Sequence, residues 1–353
     1  MNATLLPEGV PLAGVVDERG VWTSEGLGDH DALPGRFVLP GLVDAHGHLS
    51  VGVGEDGSPR ALSMEETRRN LARARESGIT AIRDTGGPGG VTLRLLHDRQ
   101  GDGGALLVSG RFLAPSGQYF PALYEPVEAT DLVAAARAEI AAGARWVKLV
   151  ADFPMMREGA PPPADAVPSY SIADVRDLVQ AVHEAGARVA AHTTTTLAGE
   201  LVAAGVDSIE HGNRLTESDV LELAARGGAW TPTLCALLLP WPGEDEGRRE
   251  RRARLRERFS HLLGVAVERD LTILTGTDVV GDIATEVRLL TELGVPPRRA
   301  LEAASGAALR YLDVTGLAEG RPANLISYHE DPREDPETLA RPAAVIAQGS
   351  RIL

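Results

Sequence analysis

Two histidines one residue apart, His46 and His48, close the stretch LPGLVDAHGHLS at Leu39–Ser50. Side chains at i and i+2 on a strand share a face, so both imidazoles can aim at one ion, and Gly47 keeps the space between them open. A pair at this spacing also arises by chance among nine histidines; its meaning depends on whether later strand ends add ligands. Candidates follow in order. The run RWVKLVAD carries Lys148, VAAH ends in His192, SIEH ends in His211 and TGTD ends in Asp278. Taken singly, His192 or His211 could be a hydrogen-bonded core histidine, and Asp278 a cap for the helix that follows. Taken together, that reading needs a coincidence at several strand ends. Lys148 is the most informative, because a lysine inside an apolar strand is costly unless it is paired or chemically altered. Desolvation favours its neutral amine, which can take up carbon dioxide to give a carbamate whose two oxygens can bridge two cations. The plainer alternative is a lysine snorkelling to the rim.

The elements that must hold these groups can be read from the hydrophobic pattern. Apolar runs fall at Phe37–Ala45, Ile79–Arg83, Ala105–Ser109, Trp146–Val150, Arg188–Ala191, Val206–Glu210, Ala229–Leu234 and Leu271–Thr275. Between them lie amphipathic helical stretches such as Ser63–Ser77, Asp131–Ala142, Ile172–Ala185 and Thr216–Arg226, with Thr285–Leu293 after the last run. Strict alternation of strand and helix predicts parallel strands joined by right-handed crossovers. Eight such units predict a (β/α)8 TIM barrel, whose catalytic groups sit at the carboxyl ends of its strands. Val10–Val21 reads as a hairpin around DERG, and the tail returns to short apolar runs at Ala323–Tyr328 and Ala343–Ala347. These terminal segments predict a small β-sandwich-like domain, giving a division into 1–36, 37–314 and 315–353. The Pro-rich loop Gly159–Pro168 is a candidate lid. Glu246–Phe259, EGRRERRARLRERF, is densely basic, but acidic residues from Glu244 to Glu257 offset its arginines, which predicts a solvated helix face.

Composition narrows the partners. A formal charge of −15 argues against nucleic acid or an anionic membrane surface, leaving a small-molecule substrate. The single cysteine, Cys235, rules out an internal disulfide and a cluster of soft thiolate ligands, which points to the reducing cytoplasm. The first residues, MNATLLPEGVPL, have neither a basic nor a long apolar region, and no apolar run approaches a membrane span. Assembly as a homo-oligomer is left open.

In order along the chain, LPGLVDAHGHLS, RDTGG at Arg83–Gly87, WVKLV, AAHTTTT, SIEHGN, GTD and the tail GRPANLIS with AVIAQG resemble the amidohydrolase superfamily. Within it the likeness is to the imidazolonepropionase-related group that includes metal-dependent Xaa-Pro dipeptidases. The resemblance implies that His46, His48 and Asp278 bind one metal and that His192 and His211 bind the second. Carboxylated Lys148 and a hydroxide would bridge the two. Divalent cations on N and O ligands, with Zn²⁺ the expected choice, acidify water and polarise a carbonyl. Asp278 can then pass a proton to the departing amine. The reading is hydrolysis of an amide-like C–N bond in a dipeptide, an N-acyl amino acid or a related small amide.

The substrate contacts depart from the dipeptidase pattern. Tyr119 stands about where those enzymes carry a substrate-holding histidine. Tyr170, in PSYS, is similar to their substrate-contacting tyrosine, though an ordinary loop aromatic fits as well. Arg111 has the fork geometry to bind a carboxylate. Three alternatives remain. A mononuclear deaminase would carry glutamate three residues after the fifth-strand histidine, where this chain has Thr195. A lactonase or phosphotriesterase would use the same binuclear centre. A non-catalytic scaffold would be expected to have lost ligands, and all six candidates are present.

Overall fold

The computed structural model describes residues 2–24, 33–55, 57–98, 105–156, 165–241 and 243–353. It is a mixed α/β, TIM-barrel-like structure. Its strands recur where the apolar runs lie, at Leu42–Gly47, Ile79–Asp84, Ala105–Val108, Trp146–Val150, Arg188–Thr193, Ser208–His211, Ala229–Thr231 and Thr272–Ile273. Most are buried along their whole length, as expected of parallel strands covered on both faces.

Two parallel ladders result. One pairs Ala105–Val108 with Ile79–Asp84 and the latter with Leu42–Gly47; the other runs from Phe112–Leu113 through Trp146–Val150, Arg188–Thr193, Ser208–His211 and Ala229–Thr231 to Thr272–Ile273. The ladders approach each other at two junctions. Ala105–Val108 and Phe112–Leu113 are successive pieces of one segment that changes partner around Gly110, a residue with φ of 71°. At the other junction Ala45 N donates to Thr275 O at 2.9 Å, and Asp278 N donates to His46 O at 2.7 Å.

The helices begin where side chains can satisfy free backbone N–H groups. Ser63 with Glu66, Ser171 with Asp174 and Thr216 with Asp219 each form a reciprocal capping box. The Ile172–Glu184 helix buries Val175, Leu178, Val179 and Val182 on one stripe, and each fully buried aliphatic side chain contributes about 1.5–3 kcal/mol. Among the described residues no helix is long and apolar enough to cross a membrane.

The expected opening strand, Phe37–Ala45, is two strands. Pro40 lacks an N–H, and Gly41 takes φ of 110° with no room for a Cβ, which would lie 1.9 Å from Thr80 Oγ1. Phe37–Leu39 therefore joins another sheet, of order Val10–Ala13, Asn2–Leu5, Phe37–Leu39, Leu325–Tyr328, Ala344–Ala347 and Ser350–Arg351. The expected hairpin around DERG forms between Val15–Val16 and Trp22–Thr23. Of the tail strands, Leu325–Tyr328 pairs with Phe37–Leu39 and Ala344–Ala347 with Leu325–Tyr328, and the hairpin meets the tail through the Val21–Pro322 bridge. Of the candidate lid, residues 159–164 lie outside the described residues, and Ala166–Pro168 pairs antiparallel with Asp152–Pro154.

Candidate metal centre

Six ligand-type side chains converge on one cavity of about 260 Å³: His46, His48, Lys148, His192, His211 and Asp278 all line it. His46 lies in the Leu42–Gly47 strand and His48 directly after it; one nitrogen of each and a carboxylate oxygen of Asp278 lie within 4.8 Å of one another. Lys148 Nζ is 3.4 Å from His46 Nε2. The rings of His46 and His211 are 5.1 Å apart, and those of His192 and His211 4.5 Å.

Hydrogen bonds set which nitrogen of each ring faces inward. His46 Nδ1 donates to Glu210 Oε2 at 2.6 Å, and His48 Nδ1 donates to the Gly86 carbonyl at 2.9 Å. The Thr233 hydroxyl donates to Pro232 O at 2.8 Å, so it accepts from His211 Nδ1 at 2.6 Å. All three rings are thereby held as the tautomer with a lone pair on Nε2, the arrangement in which a metal-binding histidine is oriented by the group behind it. His48 Nε2 lies 3.6 Å from Asp278 Oδ1.

Burial makes these groups suitable donors. It pushes the His48 imidazole down to about 3 and His192 to about 4, with the Lys148 charge adding to both, so the rings are neutral. His46 and His211 lie well below the usual histidine range for the same first reason. Burial also lowers the Lys148 ammonium to about 8, which favours the amine that carboxylation requires. It raises the Asp278 carboxyl to about 6.

Backbone strain accompanies the ligand-type residues and their neighbours. His211, Thr233 and Asp278 have φ of 64°, 47° and 54°, a left-handed conformation that costs non-glycine residues energy and clusters at functional sites. Asp44 holds the Asp278 turn against the first strand, accepting from Thr277 Oγ1 at 2.6 Å and from His46 N at 3.1 Å. Gly276 lets the eighth segment approach the first, since a Cβ there would lie 2.4 Å from His46 Cβ.

Several supporting residues had gone unassigned in the sequence. Glu210, fully buried, ties His46 to the Arg83 guanidinium, whose Nη2 donates to Oε1 at 2.8 Å while it stacks 4.4 Å over Trp146. Asp152 gathers the threonines that follow His192: it accepts from Thr193 Oγ1, from Thr194 N at 2.9 Å and from Thr195 Oγ1 at 2.9 Å. The signal for Arg83, Glu210 and Asp152 was the one used for Lys148, a charged residue inside or at the end of an apolar run.

The three expected substrate contacts separate. Tyr119 lines the cavity, packed 4.7 Å from Phe112 and 5.0 Å from Phe153, and burial raises its phenol. Tyr170 and Arg111 do not line it. The Tyr170 hydroxyl donates to Val127 O at 2.7 Å from within the core, and Arg111 Nε donates to Glu139 at 2.6 Å.

A model of the family described as Amidohydrolase family matches residues 37–352. An uncharacterized protein of Mycobacterium tuberculosis strain H37Rv is 33% identical over 95% of this chain and 90% of its own. Among solved structures, a Xaa-Pro dipeptidase with bound methionine in the active site superposes with a TM-score of 0.80 at 21% identity, over 99% of this chain and 98% of that one. Ochratoxinase of A. niger gives a TM-score of 0.77 at 21% identity, over 99% and 94%. At these identities the structural likeness shows the fold.

Proposed function

From the premise that this chain belongs to the amidohydrolase family and is a hydrolase, we propose that it is a binuclear metal-dependent enzyme that cleaves an amide-like C–N bond in a small molecule. The observation that carries this reading is the convergence of all six ligand-type side chains on one cavity, with the Nε2 lone pairs of His46, His48 and His211 free to coordinate. The donor set fits two divalent cations, with nitrogen and oxygen donors that suit Zn²⁺. His46, His48 and Asp278 would hold one and His192 with His211 the other, and Lys148, once carboxylated, would add oxygen donors to the set. Bound there, the cations would supply an acidified water and a Lewis acid for the substrate carbonyl.

The chain's own groups do the rest. Asp278 takes a proton at its carboxylate and returns it to the leaving amine, which is otherwise a poor leaving group. Glu210 keeps His46 in its ligating tautomer. Phe112, Tyr119 and Phe153 line the cavity with aromatic surface that excludes water around the reacting bond, and Tyr119 is the proposed substrate contact. Tyr170 and Arg111 are committed to Val127 and Glu139 and are assigned no substrate role. We read the two parallel ladders as a closed (β/α)8 barrel spanning 37–314, with 1–36 and 315–353 as a small β domain that borrows Phe37–Leu39 by pairing. The lone cysteine, buried and in no disulfide, suits a cytoplasmic home.

Metal analysis of protein purified without chelator tests the reading, with close to two divalent ions per chain expected. Lys148→Ala should lose metal and hydrolysis together, with partial rescue by short carboxylic acids. Protein that holds no cation would overturn it. In a panel of dipeptides, N-acyl amino acids and lactones, turnover of lactones alone would overturn the C–N bond assignment.

A further inference from the structure

Beside the metal cavity lies a larger one, of about 890 Å³, that shares His192, Thr194, Phe120 and Phe153 with it. Its outer wall is the Glu246–Glu268 helix, the basic stretch that the sequence assigns to solvent. Arg251, Arg254 and Arg258 of that helix line the cavity, joined by Arg214 from the turn after His211, and the carboxylate facing them from the lining is Asp165.

The helix sorts its arginines into two sets. Arg249, Arg252 and Arg256 are spent elsewhere: Arg249 donates to Glu244 O at 3.1 Å, Arg252 pairs with Glu244, and Arg256 pairs with Glu292 at 2.6 Å. Arg251, Arg254 and Arg258, spaced i, i+3 and i+7, form the cavity face. Among the described residues neither Arg251 nor Arg214 joins an ion pair, and Arg254 has only an exposed 3.4 Å pair with Glu250, worth little in water. Arg258 is half-buried; its Nη2 donates to Leu215 O, and its buried Nε has no partner. A buried donor left unsatisfied is costly, and a ligand oxyanion on this wall would satisfy it.

We propose that this wall is an oxyanion-binding subsite, and that the substrate carries a carboxylate or phosphate on the part that extends out of the metal cavity. Guanidinium groups suit both chemistries because they offer paired donors. That the anion belongs to the hydrolysed molecule rests on the metallohydrolase reading above; anion binding itself does not. The volume, typical of a site for a drug-sized ligand, argues for a substrate larger than a minimal dipeptide.

Calorimetry on the full-length protein as purified, with glutarate and separately with inorganic phosphate as probes, tests the subsite and distinguishes the two anions. The comparison is Arg251→Ser/Arg254→Ser on the cavity face against Arg249→Ser/Arg256→Ser on the other. One saturable site weakened at least tenfold by the first pair and unchanged by the second is expected. The kinetic arm compares an N-acyl amino acid with its carboxamide-capped counterpart. The cavity-face pair should raise KM for the anionic substrate about tenfold with kcat unchanged, and leave the capped one unaffected. Arginine-dependent binding without any hydrolysis would support the subsite and count against the hydrolase reading. Hydrolysis that ignores substrate charge, with no arginine-dependent binding, would overturn the subsite and leave the hydrolase reading standing.

Discussion

Glu210→Gln separates what holds the fold from what prepares the metal site. The carboxylate has Oε2 2.6 Å from His46 Nδ1, and Oε1 2.8 Å from Arg83 Nη2 and 2.5 Å from Ser208 Oγ. A glutamine offers one acceptor and one NH2, so one side of this bridge must face donor to donor. If the amide oxygen stays with Arg83 and Ser208, the NH2 faces His46 Nδ1 and favours the tautomer protonated on Nε2, which removes the cavity-facing lone pair. The expected loss is about 10–100-fold in metal affinity, or roughly 1.4–2.7 kcal/mol. The same change leaves the fully buried Arg83 cation with Ala45 O, Thr231 Oγ1 and the Trp146 face, and no anion. Breaking a buried pair this way costs about 3–5 kcal/mol, a large share of a total stability of roughly 5–15 kcal/mol. Adding Arg83→Met removes the stranded charge. The double variant should regain most of the urea stability, and, with Arg83 gone, the amide oxygen is free to turn to His46 Nδ1, so metal affinity, measured by competition with a chelator, should recover with it. Wild-type metal affinity in Glu210→Gln would refute the orienting role.

Two further perturbations use the packing directly. Gly276→Ala places a Cβ 2.4 Å from His46 Cβ and 2.8 Å from Thr231 Cγ2, so overpacking of about 1–3 kcal/mol should come with at least a tenfold loss of turnover as His46 shifts; Gly264→Ala, inside the Glu246–Glu268 helix with nothing within 4 Å, should instead gain about 0.5–1 kcal/mol in thermal unfolding. Glu286 is fully buried with its carboxyl raised to about 8, by desolvation first and the nearby Asp44 last, and Oε1 accepts from Cys235 N at 2.5 Å. The native state holds a proton that the unfolded chain has lost above the ordinary glutamate range, so this group makes stability fall as pH rises, by up to about 1.4 kcal/mol per unit between roughly 4.5 and 8. Glu286→Gln should match wild type in urea unfolding near pH 4 and exceed it near pH 8; equal pH dependence in the two proteins would count against the protonated carboxyl.

The strands were legible because burial on both faces writes them as uninterrupted apolar runs, and the ligand-type residues because their chemistry stands out at or near the carboxyl ends of those runs. What the runs do not encode is partnership. Phe37–Ala45 is one run by hydrophobicity, yet Pro40 and Gly41 turn the chain between sheets, so its two halves serve different neighbours. Phe112–Leu113 is too short to stand out and is a strand only because Trp146–Val150 pairs with it. Loop side chains are less constrained still. Arg111 and Tyr170 have types suited to a carboxylate substrate, but nothing in their spacing sets their direction, and Glu139 and Val127 take them.

Charged residues in apolar strands follow a stricter rule, one that reaches beyond single positions. Burying one charge is prohibitive, so each implies a counterpart on another strand. Lys148 alone suggests a modified lysine; Arg83 and Glu210, 127 residues apart, close the account as a buried pair. All three are buried charged groups on strands around the candidate site. Glu210 touches both sides of that arrangement, bonding the Arg83 guanidinium with one oxygen and the His46 imidazole with the other. The amphipathic helices obey the complementary rule: periodicity tells which arginines share a face, and only the tertiary neighbour tells what that face is for. On the Glu246–Glu268 helix one set of arginines meets Glu244 and Glu292 while the other meets a cavity that opens beside His192. Exposure and partnership are separate properties: the stretch is largely solvated, as its charge pattern predicts, and one face of it still borders a cavity.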